Sequence, residues 1–315
     1  MRRRGADRRA VAKGERIDGV IGFGGGSSMD IAKLVALLAE PTQKQPMGEM
    51  YGIGNVKGPR LPLVQVPTTA GTGSEVTHLS IVTISDTAKA AVGDTLLLPD
   101  VAVLDADLTA ALPSHVAAAT GIDAMVHAIE AYTCVGANGK NPLSDVLARE
   151  ALQLLGANIH EACAPDASSE SRGAMLLGSC YAGMAFANSP VAAVHALAYP
   201  LGARFGVPHG LSNSLVLPHV LAFNAAEPIA ARQYGELAPH AFPGLGADAG
   251  VARFIEKFAE LPVQLGLPTR LSEVGVAEAD VEMLAAAAME QTRLLGNNPR
   301  AVRQEDAARV YRQAL

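Results

Sequence analysis

The sequence predicts an α/β domain followed by an all-α domain, and three observations carry that prediction. Short β-branched apolar runs alternate with helical patterns up to residue 112. Ala- and Leu-rich helical periodicity fills the remainder, and the change falls at the Leu112/Pro113 step. Residues 1–112 are therefore read as a partial Rossmann-like domain and residues 113–315 as a helical, metal-binding and catalytic domain.

The strand candidates in the first part are 19–23 (GVIGF), 63–66 (LVQV), 79–84 and 101–104 (VAVL), with a helix over 30–38. Apolar runs of four to six residues punctuated by Gly and Pro are the pattern of buried parallel strands. In the second part, Ser114 is the expected N-cap. Helices are expected over 114–133, 143–162, 170–188, 191–202, 247–265, 277–292 and 304–314. A junction between two such domains is where a ligand cleft is expected.

Composition narrows the function. The 315 residues are 49% hydrophobic and 18% charged, ample apolar material for folded domains and too much for a disordered chain. No apolar run reaches the roughly 18 residues of a spanning helix, so no membrane association is expected. A net charge of −6 and the lack of tryptophan argue against a nucleic-acid partner. Cys134, Cys163 and Cys180 are isolated, as in a reducing, cytoplasmic compartment. The opening MRRRGADRRA has five arginines and no apolar core, unlike a secretory signal.

GVIGFGGGSSMDIAK reads as strand, tight turn, helix. Gly24, Gly25 and Gly26 allow positive φ and close backbone approach, and Ser27, Ser28 and Asp30 are candidate caps. Free N–H groups at the start of such a helix suit a pyrophosphate. The turn is neither G-x-G-x-x-G nor a Walker loop. The next loop, VPTTAGTGSEVT, is dense in hydroxyls. Thr68, Thr69, Thr72, Ser74 and Thr77 can donate to phosphate or ribose oxygens, and Lys89 follows one strand later.

GIDAMVHAIEAY sets Asp123 and His127 at i and i+4, on one helix face and about 6 Å apart. Downstream, His195 falls on a helix and His209 on a Pro-Gly turn able to fold back beside it. One carboxylate and three imidazoles make an N/O site suited to Fe2+ or Zn2+. His219, after Pro218 at the start of another helix, is a spare candidate.

Taken together, GGGSSMDIAK, PTTAGTGSEVT, ATGIDAMVHAIEAY, VHALAYPLGARFGVPHGLSNSLVLPHV and GNNPRAVRQEDAARVY resemble the iron-containing (group III) alcohol dehydrogenases, in order, from about Gly19 to the C-terminus. The resemblance implies that Asp123, His127, His195 and His209 are metal ligands. It implies that Gly25, Gly26, Ser27 and Ser28 form the pyrophosphate turn, and that Thr68, Thr69, Thr72, Thr77 and Lys89 contact NAD or NADP. The implied reaction moves a hydride between a small alcohol or aldehyde and the nicotinamide, with the ion as Lewis acid.

Two departures are visible. Tyr199 stands where many members carry a histidine thought to move the alcohol proton, so Tyr199 becomes the catalytic candidate. The glycine turn also comes much earlier than in the family, so the cofactor domain reads as N-terminally truncated, with a sheet edge and apolar faces left bare. A non-catalytic remnant that binds metal alone and a lyase of the dehydroquinate synthase type are the alternatives. The cleft is expected to be apolar, with Phe186 and Phe205 in its wall, for a small apolar substrate. A cytoplasmic homodimer is the expected setting.

Overall fold

A computed structural model describes residues 17–84, 89–136, 140–246 and 249–315. The Arg-rich opening segment lies outside the described residues. In the first part, β1 (Val20–Gly24), β3 (Leu63–Pro67) and β6 (Val101–Ala102) form a parallel sheet in the order β1-β3-β6. The β1–β3 register runs from Val20 opposite Leu63 to Gly24 opposite Pro67. Helix α1 (Gly26–Leu38) covers one face of this sheet, sending Met29, Ala32, Ala36 and Leu37 into the interior. Gly22 has no room for a side chain, because a Cβ there would lie 2.0 Å from the buried Gln65 Oε1.

The expectation of all-parallel strands needs correction. The 79–84 run becomes β4 (Leu79–Thr83), which pairs antiparallel with β5 (Lys89–Gly93). With the short β2 (Gly52–Ile53) they make a second three-stranded sheet, in the order β2-β5-β4. β2, at two residues, is too short to register as an apolar strand run, and β5 (KAAVG) is too poor in large apolar residues.

The second part is helical: α2 (Ser114–Thr133), α3 (Pro142–Ala162), α4 (Ser169–Asn188), α5 (Ala193–Phe205), α6 (His209–Asn224), α7 (Pro228–Ala241), α8 (Gly250–Gln264), α9 (Val281–Met289), the single turn α10 (Thr292–Leu295) and α11 (Gln304–Ala314). α2 is the central column, packed against α3, α4, α6 and α7 and buried along nearly all of its last four turns. Its alanines and Gly121 let the neighbours come close; a Cβ on Gly121 would meet Met175 at 2.8 Å. α3 starts on a capping box, with Asn141 Oδ1 accepting from the Leu143 and Ser144 amides at 3.0 Å each. Ser168 caps α4 through the Ser171 amide.

Three local readings change. Ser114 is the first helical residue after Pro113, and no side chain caps α2. Pro218 lies inside α6 and does not start a helix, and Pro239 lies inside α7. His209 opens α6 and is not part of a free turn.

Candidate functional site

Three helices deliver the four predicted ligands to one point. Asp123 and His127 project from α2, His195 from the first turn of α5, and His209 from the first position of α6. The Nε2 atoms of His127, His195 and His209 lie 3.9, 3.8 and 3.6 Å from Asp123 Oδ1. All four donor atoms fall within 4.8 Å of one another. Donors at 2.0–2.2 Å from a tetrahedral ion stand about 3.4 Å apart, so a small contraction closes this set on one divalent cation. Asp123, His127 and His195 are buried, whereas His209 is 36% exposed and marks the open side.

The ring orientations are set from behind. His127 Nδ1 lies 3.2 Å from the Gly71 carbonyl, and Phe186 stacks on the ring with centroids 4.4 Å apart. His195 Nδ1 lies 2.6 Å from Glu130 Oε2, while Glu130 Oε1 accepts from the Val194 amide at 2.7 Å. Each partner makes Nδ1 the donor and leaves the Nε2 lone pair for an ion. Burial pushes His127 down to about 3, keeping that ring neutral. For His195 the same desolvation is outweighed by Glu130, which raises its basicity. Burial would raise Asp123, but the three histidines and Asn213 hold it below the usual carboxylate value.

Sequence reasoning missed Glu130, Asn213 and Gly71. Asp123, His127 and Glu130 sit at i, i+4 and i+7 of one helix, so a stripe carrying both ligands and the partner was present in the spacing. Asn213, one turn after His209, donates through Nδ2 to Asp123 Oδ1 at 2.5 Å, while its own Oδ1 is buried without a partner. Gly71 could not be found by residue type, because its carbonyl does the work.

The cofactor candidates form the opposite wall. Among the three glycines of the turn, only Gly24 takes positive φ, at 139°. Gly25 is the N-cap of α1 without a side-chain cap, so neither Ser27 nor Ser28 caps it. Asp30 instead accepts from Ser74 Oγ at 2.7 Å and from the Ile81 amide at 2.8 Å. The Thr loop lies directly alongside: a Cβ on Gly25 would meet Thr69 Oγ1 at 3.3 Å, and one on Gly26 would meet Thr72 Cγ2 at 2.7 Å. Thr68 donates its amide to the Gly24 carbonyl.

Part of the hydroxyl density has a structural cause. The wholly buried Lys33 donates from Nζ to Ser74 Oγ and Thr77 Oγ1, both at 3.0 Å, and to the Leu79 carbonyl at 2.7 Å. Desolvation lowers Lys33 to about 8. It also raises the neighbouring buried Glu75 to about 7.

Both walls line one open cleft, with Gly26, Ser27, Thr72, Ser74 and Thr77 on one side and His127, His195, Tyr199 and His209 on the other. Gly25, Ser28, Thr68 and Thr69 stand outside its lining, and the side chain of Lys89 lies outside the described residues. Phe186 lines the cleft as expected, but Phe205 does not; it packs on the helical core. Tyr199 lies beside His209 with ring centroids 5.8 Å apart, and burial pushes its hydroxyl up to about 12.

Comparison with known proteins agrees with this geometry. Residues 6–106 match the model of the iron-containing alcohol dehydrogenases, and residues 117–315 match the C-terminal domain of the Fe-containing alcohol dehydrogenase family. The chain belongs to the iron-containing alcohol dehydrogenase family. It is 37% identical to long-chain-alcohol dehydrogenase 1 of Geobacillus thermodenitrificans, across 97% of this chain and 77% of that protein. It is 36% identical to the NAD-dependent methanol dehydrogenase of Bacillus methanolicus, across 97% of this chain and 79% of that enzyme. Among solved structures, a 1,3-propanediol oxidoreductase superposes with a TM-score of 0.91 at 32% identity, covering 99% of this chain and 80% of that one. As a member of the family, the chain is a metal-dependent alcohol oxidoreductase that exchanges hydride between an alcohol or aldehyde and NAD(P).

Proposed function

We propose that Asp123, His127, His195 and His209 hold the metal, that Gly26, Ser27, Thr72 and Thr77 receive the nicotinamide cofactor, and that Tyr199 serves as the proton donor. The observation that carries this reading is the convergence of three imidazole Nε2 atoms on Asp123 Oδ1 in the wall of the cleft that the glycine turn closes. Buried neutral imidazoles and one carboxylate fit a borderline cation such as Fe2+ or Zn2+.

When bound, the ion supplies Lewis-acid polarisation of the substrate oxygen, and the nicotinamide supplies or accepts the hydride. The chain does the rest. Glu130 and the Gly71 carbonyl lock His195 and His127 in the tautomer that presents Nε2. The uncapped start of α1 offers amide donors and a positive dipole end to a pyrophosphate. Phe186 and Val191 exclude water beside the ligands. The Tyr199 hydroxyl stays protonated through the neutral range, so it is suited to give a proton to the reduced substrate oxygen and poorly suited to take one.

Three free cysteines favour a reducing cytoplasm, and no helix among the described residues is long and apolar enough to cross a membrane. A homodimer remains our proposed assembly. The comparisons lend the lyase and remnant alternatives no support. The test is metal analysis of His195→Ala and His209→Ala proteins together with alcohol-dependent NAD(P) reduction. Full metal occupancy in both variants would overturn the ligand assignment, and no reduction by metal-loaded wild type would overturn the reaction.

A further inference from the structure

We infer that Arg293 selects substrates whose far end carries a fixed negative charge, namely short aldehydes or alcohols with a terminal carboxylate. The inference rests on the reading of the cleft as the oxidoreductase site. Arg293 belongs to α10, which packs against α5, the helix of His195 and Tyr199. Its side chain lines the cleft alongside Tyr199 and His209.

Four arginines elsewhere are paired with carboxylates, Arg60 with Asp100, Arg253 with Glu260, Arg309 with Asp306 and Arg312 with Glu282, and Arg172 and Arg300 donate to backbone carbonyls. Among the described residues, the Arg293 guanidinium has no hydrogen-bond or ion-pair partner. An exposed arginine without a partner is ordinary on a convex surface. On the wall of a substrate cleft it is a fork of donors aimed at a planar anion.

The rest of the lining fits the same ligand. Leu79, Ile81, Phe186 and Val191 provide apolar wall for a short alkyl chain. Asp30 is the other charged side chain on that wall besides the metal set. Its oxygens accept from the Ser74 hydroxyl and the Ile81 amide, and Lys33 stands 3.8 Å away. A substrate held between Arg293 and the metal-ligand cluster would have its carbonyl beside Tyr199 and its carboxylate on the guanidinium.

The experiment compares butanal with 4-oxobutanoate, equal in chain length, as substrates of the metal-loaded enzyme with NADH. It uses wild type, Arg293→Gln and Arg293→Lys. Wild type should favour 4-oxobutanoate. Arg293→Gln should lower kcat/KM for 4-oxobutanoate about 10- to 100-fold, mainly through KM, and leave butanal within about twofold. Arg293→Lys should recover part of the loss, and added salt should erode the preference.

An equal loss on both aldehydes would overturn the proposal. So would a raised KM for NADH in Arg293→Gln, which would put the guanidinium on a cofactor phosphate. Calorimetric titration with 4-hydroxybutanoate, in the absence of turnover, separates the two readings. Arg293-dependent binding without any aldehyde reduction would sink the oxidoreductase reading and keep this one. Turnover with no discrimination by Arg293 in either assay would do the reverse.

Discussion

The helical part and the sheet part of the molecule hold their halves of the cleft by different means. Around α2 a single continuous apolar core runs from Ala118 to Ala314, and the candidate ligands are side chains fixed from behind by buried partners. In the sheet part the core is divided into three small clusters, and the cleft wall is largely backbone, glycine and hydroxyl. A metal site needs a few donor atoms held to within tenths of an ångström, which dense helix packing provides. A dinucleotide needs close backbone approach over a longer path, which a glycine turn beside a loop provides.

The two halves meet through glycines. A Cβ on Gly73 would lie 2.5 Å from the Gly183 Cα, so the Thr loop rests directly on α4. The same loop supplies the Gly71 carbonyl to His127. Changes on one side should therefore be separable from the other except along this seam.

His195→Ala gives the largest expected effect. Loss of a ligand should strip the metal and lower kcat/KM by roughly 10³-fold or more, while NADH binding measured by fluorescence stays near wild type. Next comes Tyr199→Phe, expected to reduce aldehyde turnover about 10²-fold with metal content unchanged; an unchanged rate would assign proton delivery to water. Glu130→Gln should weaken the metal about 10- to 100-fold, read by chelator competition, again without touching NADH.

Gly26→Val works from the other wall. Its added carbons collide with Thr72, so the NADH dissociation constant should rise by about tenfold or more while metal stoichiometry holds. If metal were lost as well, the separation of the halves would be wrong.

The smallest effect is a pH dependence of stability. Glu75 keeps its proton to about pH 7 in the folded chain and loses it near 4.5 when unfolded. Its contribution is present below about 4.5 and is lost as pH rises through 7. Lys33, lowered to about 8, acts in the opposite sense, and stability recovers as pH rises from about 8 toward 10.5. Glu75→Gln should therefore leave stability unchanged at low pH and raise it above pH 7, by about a few kcal/mol at most, read as a higher Tm. A pH-independent difference in Tm would deny Glu75 its raised value.

Much of this was readable in advance, and the exceptions share physical causes. α2 and α11 begin and end where periodicity placed them: α2 is rich in alanine, and α11 buries Ala307, Ala308, Val310, Tyr311 and Ala314 at helical spacing. α6 registers only from Pro218, which lies inside it, and α7, with Pro239 inside it, does not register as a helix; the internal proline is not the whole reason, since α5 and α8 carry Pro200 and Pro262 and are expected. The four side chains that converge in the cleft wall were legible as a candidate ligand set from one i, i+4 pair and two spaced histidines. Glu130 belonged to the same stripe, but an apolar helix offered no reason to single out a glutamate. Lys33 was illegible, since nothing local marks a lysine that will be wholly buried. Without it, Ser74 and Thr77 read only as ligand donors.

The outer face of the parallel sheet has a consequence for handling. Ile21 and Phe23 on β1 are 69% and 59% exposed, and Val101 and Val103 at the other edge are 49% and 42% exposed. Attraction between apolar surfaces weakens on cooling. The solubility limit of this chain should therefore have an inverse temperature dependence. Concentrated samples should turn turbid on warming well below the unfolding transition and clear again on ice, with the turbidity suppressed by Phe23→Lys.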